Sequence, residues 1–142
     1  MKLSEITSLS VVLFFLMIMQ SACTSDQFDN PSSSGHEPLI DPDYSGITIP
    51  PNIAPLNFVI LEKGEAFRII ATSPNGATVT VESSDGIVKF PVRSWKKLLQ
   101  GCTGGKIEIE VISGARENAA VKYASFKINI ASEAIDPYLC YR

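Results

Sequence analysis

The sequence predicts an all-β fold, an antiparallel sandwich like an immunoglobulin or fibronectin module, with one short helix. Three observations favour this class. Apolar and polar residues alternate over several short runs, turn-forming pairs such as Asn75-Gly76 and Asp85-Gly86 separate the runs, and the pattern continues from residue 47 onward. About six such runs at short spacing are typical of an antiparallel sandwich.

The first three strands are predicted over residues 54–61, 66–72 and 77–82, and the first is entered through the stiff pair Pro50-Pro51. Asn75-Gly76 lies between the second and third strands and predicts a hairpin, because Gly accepts the positive φ of a type I′ turn. Val79 and Val81 are then expected to point inward.

A second hairpin is predicted at Asp85-Gly86, leading into a strand over residues 87–90. The predicted helix follows, with Ser94 as its N-cap and Gly101 at its end. Trp95, Leu98 and Leu99 have the i, i+3, i+4 spacing of one helical face, so Trp95 is expected to be a core residue.

The last strands are predicted over residues 106–111 and 121–130. The apolar phase changes within the second of these, since Val121 and Tyr123 share one parity while Phe126, Ile128 and Ile130 share the other. We therefore predict a β-bulge near Ala124-Ser125, where one extra residue keeps both sets on the core side.

The N-terminus carries an export signal. Residues 9–19 are apolar or small, which is too short for a membrane span of about 20 residues, and they follow Lys2 as a signal sequence does. Ser21-Ala22-Cys23 then resembles the lipobox of bacterial lipoproteins, in which the cysteine becomes the lipidated first residue. The predicted organisation is a signal peptide (1–22), a flexible tether (23–46), a β-sandwich (47–134) and the start of a missing downstream segment (135–142).

Two features of this N-terminus differ from a common lipobox signal. Gln20 stands where Leu is usual, and Glu5 offsets the charge of Lys2. An ordinary secretory peptide cleaved near Ala22, or an uncleaved anchor, is the alternative. Acylation of Cys23 would hold the protein on a membrane without a span, because each buried methylene contributes about 0.8 kcal/mol.

The predicted tether is rich in Ser, Asp and Pro, so it is expected to be disordered. Asp26 and Asp29 resemble the acidic signal that directs some Gram-negative lipoproteins to the outer face of the outer membrane. The expected location is therefore the cell envelope, as an outer-membrane lipoprotein that faces the periplasm or the surface.

Charge and cysteine content limit the partners. The formal net charge is −3 and Lys96-Lys97 is an isolated basic pair, expected on a solvated helix face, so nucleic acid is not an expected partner. An oxidising compartment would permit a disulfide between Cys102 and Cys140 if their Cα atoms approach within about 7 Å. No metal site is expected, because neither cysteine has Cys-x-x-Cys spacing and His36 is distant.

No catalytic residues are predicted. His36 is the single histidine and lies in the predicted tether, which leaves a Ser-His-Asp mechanism without a placed base. Glu108 and Glu110 are two apart on a strand, where water-facing charge is normal. Tyr44, Tyr123 and Tyr138 are of a type that stacks on sugars, but nothing in the sequence brings them together, so carbohydrate binding is unsupported.

Three elements resemble a family of exported bacterial lipoproteins that carry a TolB-type (WD40-like) β-propeller. They are Ile-Pro-Pro-Asn-Ile-Ala-Pro-Leu-Asn-Phe (49–58), Trp-Lys-Lys-Leu-Leu (95–99) and Ile-Asp-Pro-Tyr-Leu-Cys-Tyr-Arg (135–142). The resemblance implies a small N-terminal β domain, with the propeller beginning where this chain ends, so a truncated reading frame or a surviving module is expected. No cofactor is expected, because the chain lacks the Cys-x-x-Cys-His element that some members carry downstream.

The expected function is a non-catalytic, lipid-anchored cell-envelope module that acts as a spacer or docking domain for a β-propeller or another protein partner. The alternative is a stand-alone surface lipoprotein that binds carbohydrate or protein. Exposed aromatic side chains clustered at one loop end would favour this alternative.

Overall fold

The computed structural model describes residues 26–114 and 119–136. Within them lie ten strands and one helix: β1 (Ser32–Ser33), β2 (Ile40–Asp41), β3 (Thr48–Ile49), β4 (Asn57–Ile60), β5 (Ala66–Thr72), β6 (Thr78–Ser83), β7 (Ile87–Lys89), α1 (Val92–Leu99), β8 (Lys106–Gly114), β9 (Val121–Lys122) and β10 (Phe126–Ile130).

The strands form two sheets. In the large sheet β6, β5 and β8 are neighbours, and β8 also pairs with both β9 and β10; in the small sheet the order is β2, β4, β7. Most pairs are antiparallel, whereas β1 pairs parallel with β9 and β3 parallel with β10. The predicted class, an all-β sandwich with one short helix, is confirmed.

The core lies between the two sheets. Strand β5 alternates strictly, so that Phe67, Ile69 and Ala71 are buried and the residues between them are half-buried. Strand β8 buries Ile107, Ile109 and Val111 on the same side, as predicted. This period of two is what a strand with one buried face requires.

The predicted β-bulge is confirmed by the register. Lys122 lies opposite Ile112 and Phe126 lies opposite Ile109, so residues 123–125 face only residues 110 and 111 of β8. Tyr123 and Phe126, on either side of the bulge, are both buried in the core.

Helix α1 buries Trp95, Leu98 and Leu99, as its spacing predicts. The prediction that Ser94 is the N-cap was wrong, because the helix begins at Val92 after Pro91 and has no side-chain cap. The Trp95 amide donates to the Pro91 carbonyl (2.9 Å). The left-handed residue after the helix is Gly101 (φ 81°), as expected for a C-terminal stop.

The hairpin between β5 and β6 is confirmed, but its turn is not the predicted two-residue type I′. Thr72 pairs with Thr78, which leaves a loop over residues 73–77. Within it Gly76 is left-handed (φ 84°) and its amide donates to the Ser73 carbonyl (3.0 Å). This pattern is typical of a type I turn with Pro74 at its second position, followed by a left-handed Gly.

The prediction of a hairpin at Asp85-Gly86 was wrong. Strand β6 belongs to the large sheet and β7 pairs with β4 in the small sheet, so this turn carries the chain from one sheet to the other. Gly86 (φ 78°) still supplies a left-handed turn residue, and its carbonyl accepts from the Ile60 amide (2.9 Å).

The region predicted as a flexible tether differs most from expectation, because from Asp26 onward it packs on the sandwich. The amides of Ser32 and Ser34 donate to the Ala120 and Lys122 carbonyls (2.8 and 2.9 Å). Farther along, β2 adds an edge strand to the small sheet and buries Ile40. The packed part of the chain therefore includes residues that lie about 20 positions before the predicted boundary at residue 47, as their pairing and burial indicate.

At the other end, Ile135 is held by Asn52. The Asn52 side chain donates to the Ile135 carbonyl (2.9 Å) and accepts from the Ile135 amide (2.8 Å). Residues 137–142, most of the predicted downstream segment, lie outside the described residues.

Candidate functional site

The first candidate site is the attachment of the N-terminal strap, by which we mean residues 26–34. Arg68 on β5 makes ion pairs with Asp26 of the strap and Glu82 of β6, each at 2.8 Å. Its guanidinium also lies 4.2 Å from the centre of the Phe28 ring, within the range of a cation–π contact. One cation thus holds both the carboxylate and the aromatic ring of the strap.

The strap covers the outer face of the large sheet. Phe28, Ile112 and Ala120 form a small apolar cluster of buried residues, against which Ala66 packs. Gly114 makes this close approach possible, because a Cβ atom there would lie 2.8 Å from the Gln27 carbonyl oxygen and 3.0 Å from the Phe28 ring. A side chain at position 114 would therefore displace the strap.

The ion pair with Arg68 also sets the ionisation of Asp26. The hydrogen bond from Arg68 is the largest cause that holds the pKa of the Asp26 carboxyl below its ordinary value. A lowered folded-state pKa means that the contact is fully present above the ordinary carboxyl pKa and is lost as pH falls through the lowered value. At neutral pH the Asp26 carboxylate is therefore charged, and its ion pair with Arg68 holds the strap on the sheet.

The second candidate site is the apolar face, the outer surface of the small sheet formed by Leu39, Val59, Leu61 and Ile87. Leu39 and Leu61 are 64% and 61% exposed, and Ile87 and Val59 are 44% and 37% exposed. Val59 lies directly opposite Ile87 in the register. The Leu61 amide donates to the Leu39 carbonyl (2.9 Å), which places those two side by side.

Such a group of adjacent apolar side chains on an outer sheet face is typical of an interaction surface. The sequence contained a signal for it that the strand prediction did not use. Val59 lies at an outward position of the first predicted strand, where a polar residue is normal. Charged groups border the face, since Asp41 pairs with Val59 and the Glu62 carboxylate accepts from the Leu39 amide (2.9 Å).

Of the cysteines, Cys23 and Cys140 lie outside the described residues, so lipidation of Cys23 and a disulfide to Cys140 stay predictions. Cys102 is buried (1% exposed) and its thiol lies 2.8 Å from the Leu98 carbonyl oxygen. Burial raises the pKa of the Cys102 thiol above its ordinary value. A protonated, buried thiol is a poor nucleophile.

Of the three tyrosines considered for sugar stacking, the two that the structure describes, Tyr44 and Tyr123, do not form an exposed platform. Tyr123 is buried and its ring meets that of His36 edge-on at 5.5 Å, and Tyr44 is half-buried with its ring 6.3 Å from Phe58. Tyr138 lies outside the described residues. The His36 carbonyl accepts from the Ala124 amide (2.8 Å), so His36 is attached to the sandwich and is not on a free tether.

The two strand carboxylates lie on the outward positions of β8, as predicted, and one contacts β9 while the other contacts the bulge between β9 and β10. Glu110 pairs with Lys122 at 3.0 Å and Glu108 accepts from the Ser125 hydroxyl. In residues 26–114 and 119–136, no group of three or more His, Cys, Asp or Glu side chains is arranged to hold a metal ion. Lys96 and Lys97 are exposed on α1, as predicted.

No helix within the described part of the chain is long and apolar enough to cross a membrane. No family model matches the sequence, and no curated protein or solved structure is significantly similar to it.

Proposed function

We propose that this protein is a non-catalytic, lipid-anchored module of the cell envelope that docks a protein partner. The membrane attachment is the acylated Cys23 at the lipobox-like junction, and the docking surface is the apolar face. The observation that carries the docking role is the adjacency of Leu39, Val59, Leu61 and Ile87 on the outside of the small sheet. Water contact with these side chains is unfavourable, and a partner that covers them gains about 25 cal/mol per Å² of apolar area.

A protein is the partner class that suits this surface. The apolar face consists of aliphatic side chains, whereas sugar recognition relies on exposed aromatic rings. We propose a β-propeller of the TolB kind as the partner, because the end elements resemble those of lipoproteins that carry such a propeller. A free spacer role is less favoured than docking, because Asp26 and Phe28, within the predicted flexible tether, are attached to the sandwich.

Acylation is tested by replacing Cys23 with alanine. In cells fed with radiolabelled palmitate, we expect the unmodified protein to incorporate label and to fractionate with membranes. The Cys23→Ala variant is expected to lose both properties, because the thiol is the acyl acceptor. The measurement is the label in the immunoprecipitated band and its membrane fraction.

Cys140→Ala is the matched control for acylation, since it also removes a cysteine but leaves the lipobox-like junction intact. It is expected to incorporate label as the unmodified protein does. Equal labelling of the Cys23→Ala variant and the unmodified protein would contradict the proposed anchor.

Docking is tested by photo-crosslinking in cells that contain the full-length protein. A photoreactive residue at Leu61 is expected to give one dominant adduct, which mass spectrometry identifies as a β-propeller protein. Thr80 is the matched control position, because it is exposed on the outer face of the other sheet. Leu39→Ser should reduce the Leu61 adduct severalfold, since Leu39 lies beside Leu61. The same adducts from Leu61 and Thr80 would argue against the apolar face as the docking surface.

A further inference from the structure

The lipid-attachment residue and the folded strap are close in the chain. Only Thr24 and Ser25 separate Cys23 from Asp26, whose side chain pairs with Arg68 at 2.8 Å. Consecutive Cα atoms are 3.8 Å apart, so Cys23 and Asp26 can be separated by at most about 11 Å. A free tether to residue 46 would instead allow a reach of several tens of Å.

The strap also determines which end of the sandwich is near Cys23. Arg68 lies near the start of β5, Glu82 near the end of β6, and Gly114 at the end of β8. The Glu65 amide donates to the Gly114 carbonyl (3.1 Å), so the turn over residues 61–65 belongs to the same end. We call this the anchor end; residues 101–105, which precede β8, lie at the opposite end.

Two of the turns at the anchor end are described in full, and their exposed residues are mostly polar or charged. Lys63 and Glu65 lie on the turn over residues 61–65, and Ser84 and Asp85 lie on the turn between β6 and β7. Polar and charged groups of both signs are compatible with the hydrated headgroup layer of a bilayer, and not with its hydrocarbon core.

We propose that the strap holds the anchor end of the sandwich against the lipid headgroups, so that the domain stands in one orientation on the membrane. This inference rests on the proposed function, because it requires an acylated Cys23. The strands then rise away from the bilayer. Leu39 and Leu61 border the anchor end, so a partner on the apolar face binds beside the membrane surface.

The orientation is tested with the full-length acylated protein in phosphatidylethanolamine–phosphatidylglycerol vesicles. A donor dye is attached through an azide-bearing residue at position 63 or, separately, at position 103, and the acceptor is a headgroup dye. Strand β5 has seven residues, which at about 3.4 Å each span about 24 Å. We expect strong transfer from position 63 and weaker transfer from position 103, corresponding to a distance difference of about 25 Å.

The variant that releases the strap is Phe28→Ser, which removes the buried ring that packs beneath Arg68. It is expected to make the two transfer efficiencies similar, because the domain then turns freely on a longer chain. Lys97→Ser, an exposed substitution on α1, should leave the difference unchanged. Circular dichroism spectra of both variants are the check that each is folded.

Two failures are distinguishable in this experiment. If mass spectrometry finds no acyl chain and the protein does not bind the vesicles, the proposed lipid anchor is wrong. If the protein is acylated and bound but positions 63 and 103 transfer equally before any substitution, the fixed orientation is overturned while the anchor stands.

Discussion

Replacing Trp95 with alanine is expected to lower the free energy of unfolding by about 3–5 kcal/mol, the largest effect of any single substitution proposed for this protein. Trp95 is the largest of the fully buried side chains, and its ring packs 5.2 Å from that of Phe90. Truncation leaves a cavity between α1 and the sheets that surrounding side chains fill only in part. Urea unfolding followed by circular dichroism measures the change, since Trp95 is the only tryptophan.

The Trp95→Phe variant distinguishes the contribution of ring packing to the free energy of unfolding from the cost of burying the indole N–H donor. The Trp95 Nε1 hydrogen is buried and has no hydrogen-bond partner in the described residues, which costs the folded state about 1–3 kcal/mol. Phenylalanine removes that donor and keeps most of the ring, so it should cost less than half as much as alanine. Lys97→Ala, on the exposed side of the same helix, should change the free energy by less than about 0.5 kcal/mol. Equal losses for Trp95→Phe and Trp95→Ala would contradict this account.

The role of Trp95 was predictable because a local pattern specifies it. The spacing of Trp95, Leu98 and Leu99 places all three on one helical face, and a helix on an all-β core can bury only one face. The same logic predicted the bulge between β9 and β10, since two sets of apolar residues with opposite parity can face one core only if a residue is inserted.

The strap was not predictable in this way. Phe28 is a single apolar residue in a polar stretch, and its buried neighbour Ile112 lies at an outward position of β8. No sequence periodicity links Phe28 and Ile112, which are far apart in the chain. Both side chains would be exposed if the strap were detached from the sheet. Their burial is a consequence of long-range packing, which local composition does not specify.

The turn at Asp85-Gly86 shows a second limit of local patterns. A left-handed Gly permits a sharp change of chain direction, but it does not determine whether the next strand pairs with the previous one or crosses to another sheet. Strand β7 lies in the small sheet because it pairs with β4. In this pair Phe58 lies opposite Val88, and both side chains are buried in the core.

Gly114→Val is expected to detach the strap and to lower the free energy of unfolding by about 2–3 kcal/mol, the value of burying a phenylalanine side chain. A Cβ at this position meets the Gln27 carbonyl oxygen at 2.8 Å, and the two methyl groups of valine extend the clash. Gly114 does not have a positive φ and lies in a strand, where valine is otherwise favourable, so the cost comes from the strap. Urea unfolding followed by Trp95 fluorescence measures it.

Three comparisons show whether that loss is the strap's own contribution. Lys106→Val, an exposed substitution at the other end of β8, should change the free energy by less than about 0.5 kcal/mol. Gly114→Val combined with Phe28→Ala should be no less stable than Gly114→Val alone, because a detached strap has no Phe28 contact left to lose. Chymotrypsin should cleave after Phe28 in the Gly114→Val variant and spare that bond in the unmodified protein, where Phe28 is buried. Additive losses in the double variant would mean that Gly114 and Phe28 act independently, and the close approach at Gly114 would then not be what holds the N-terminus on the sheet.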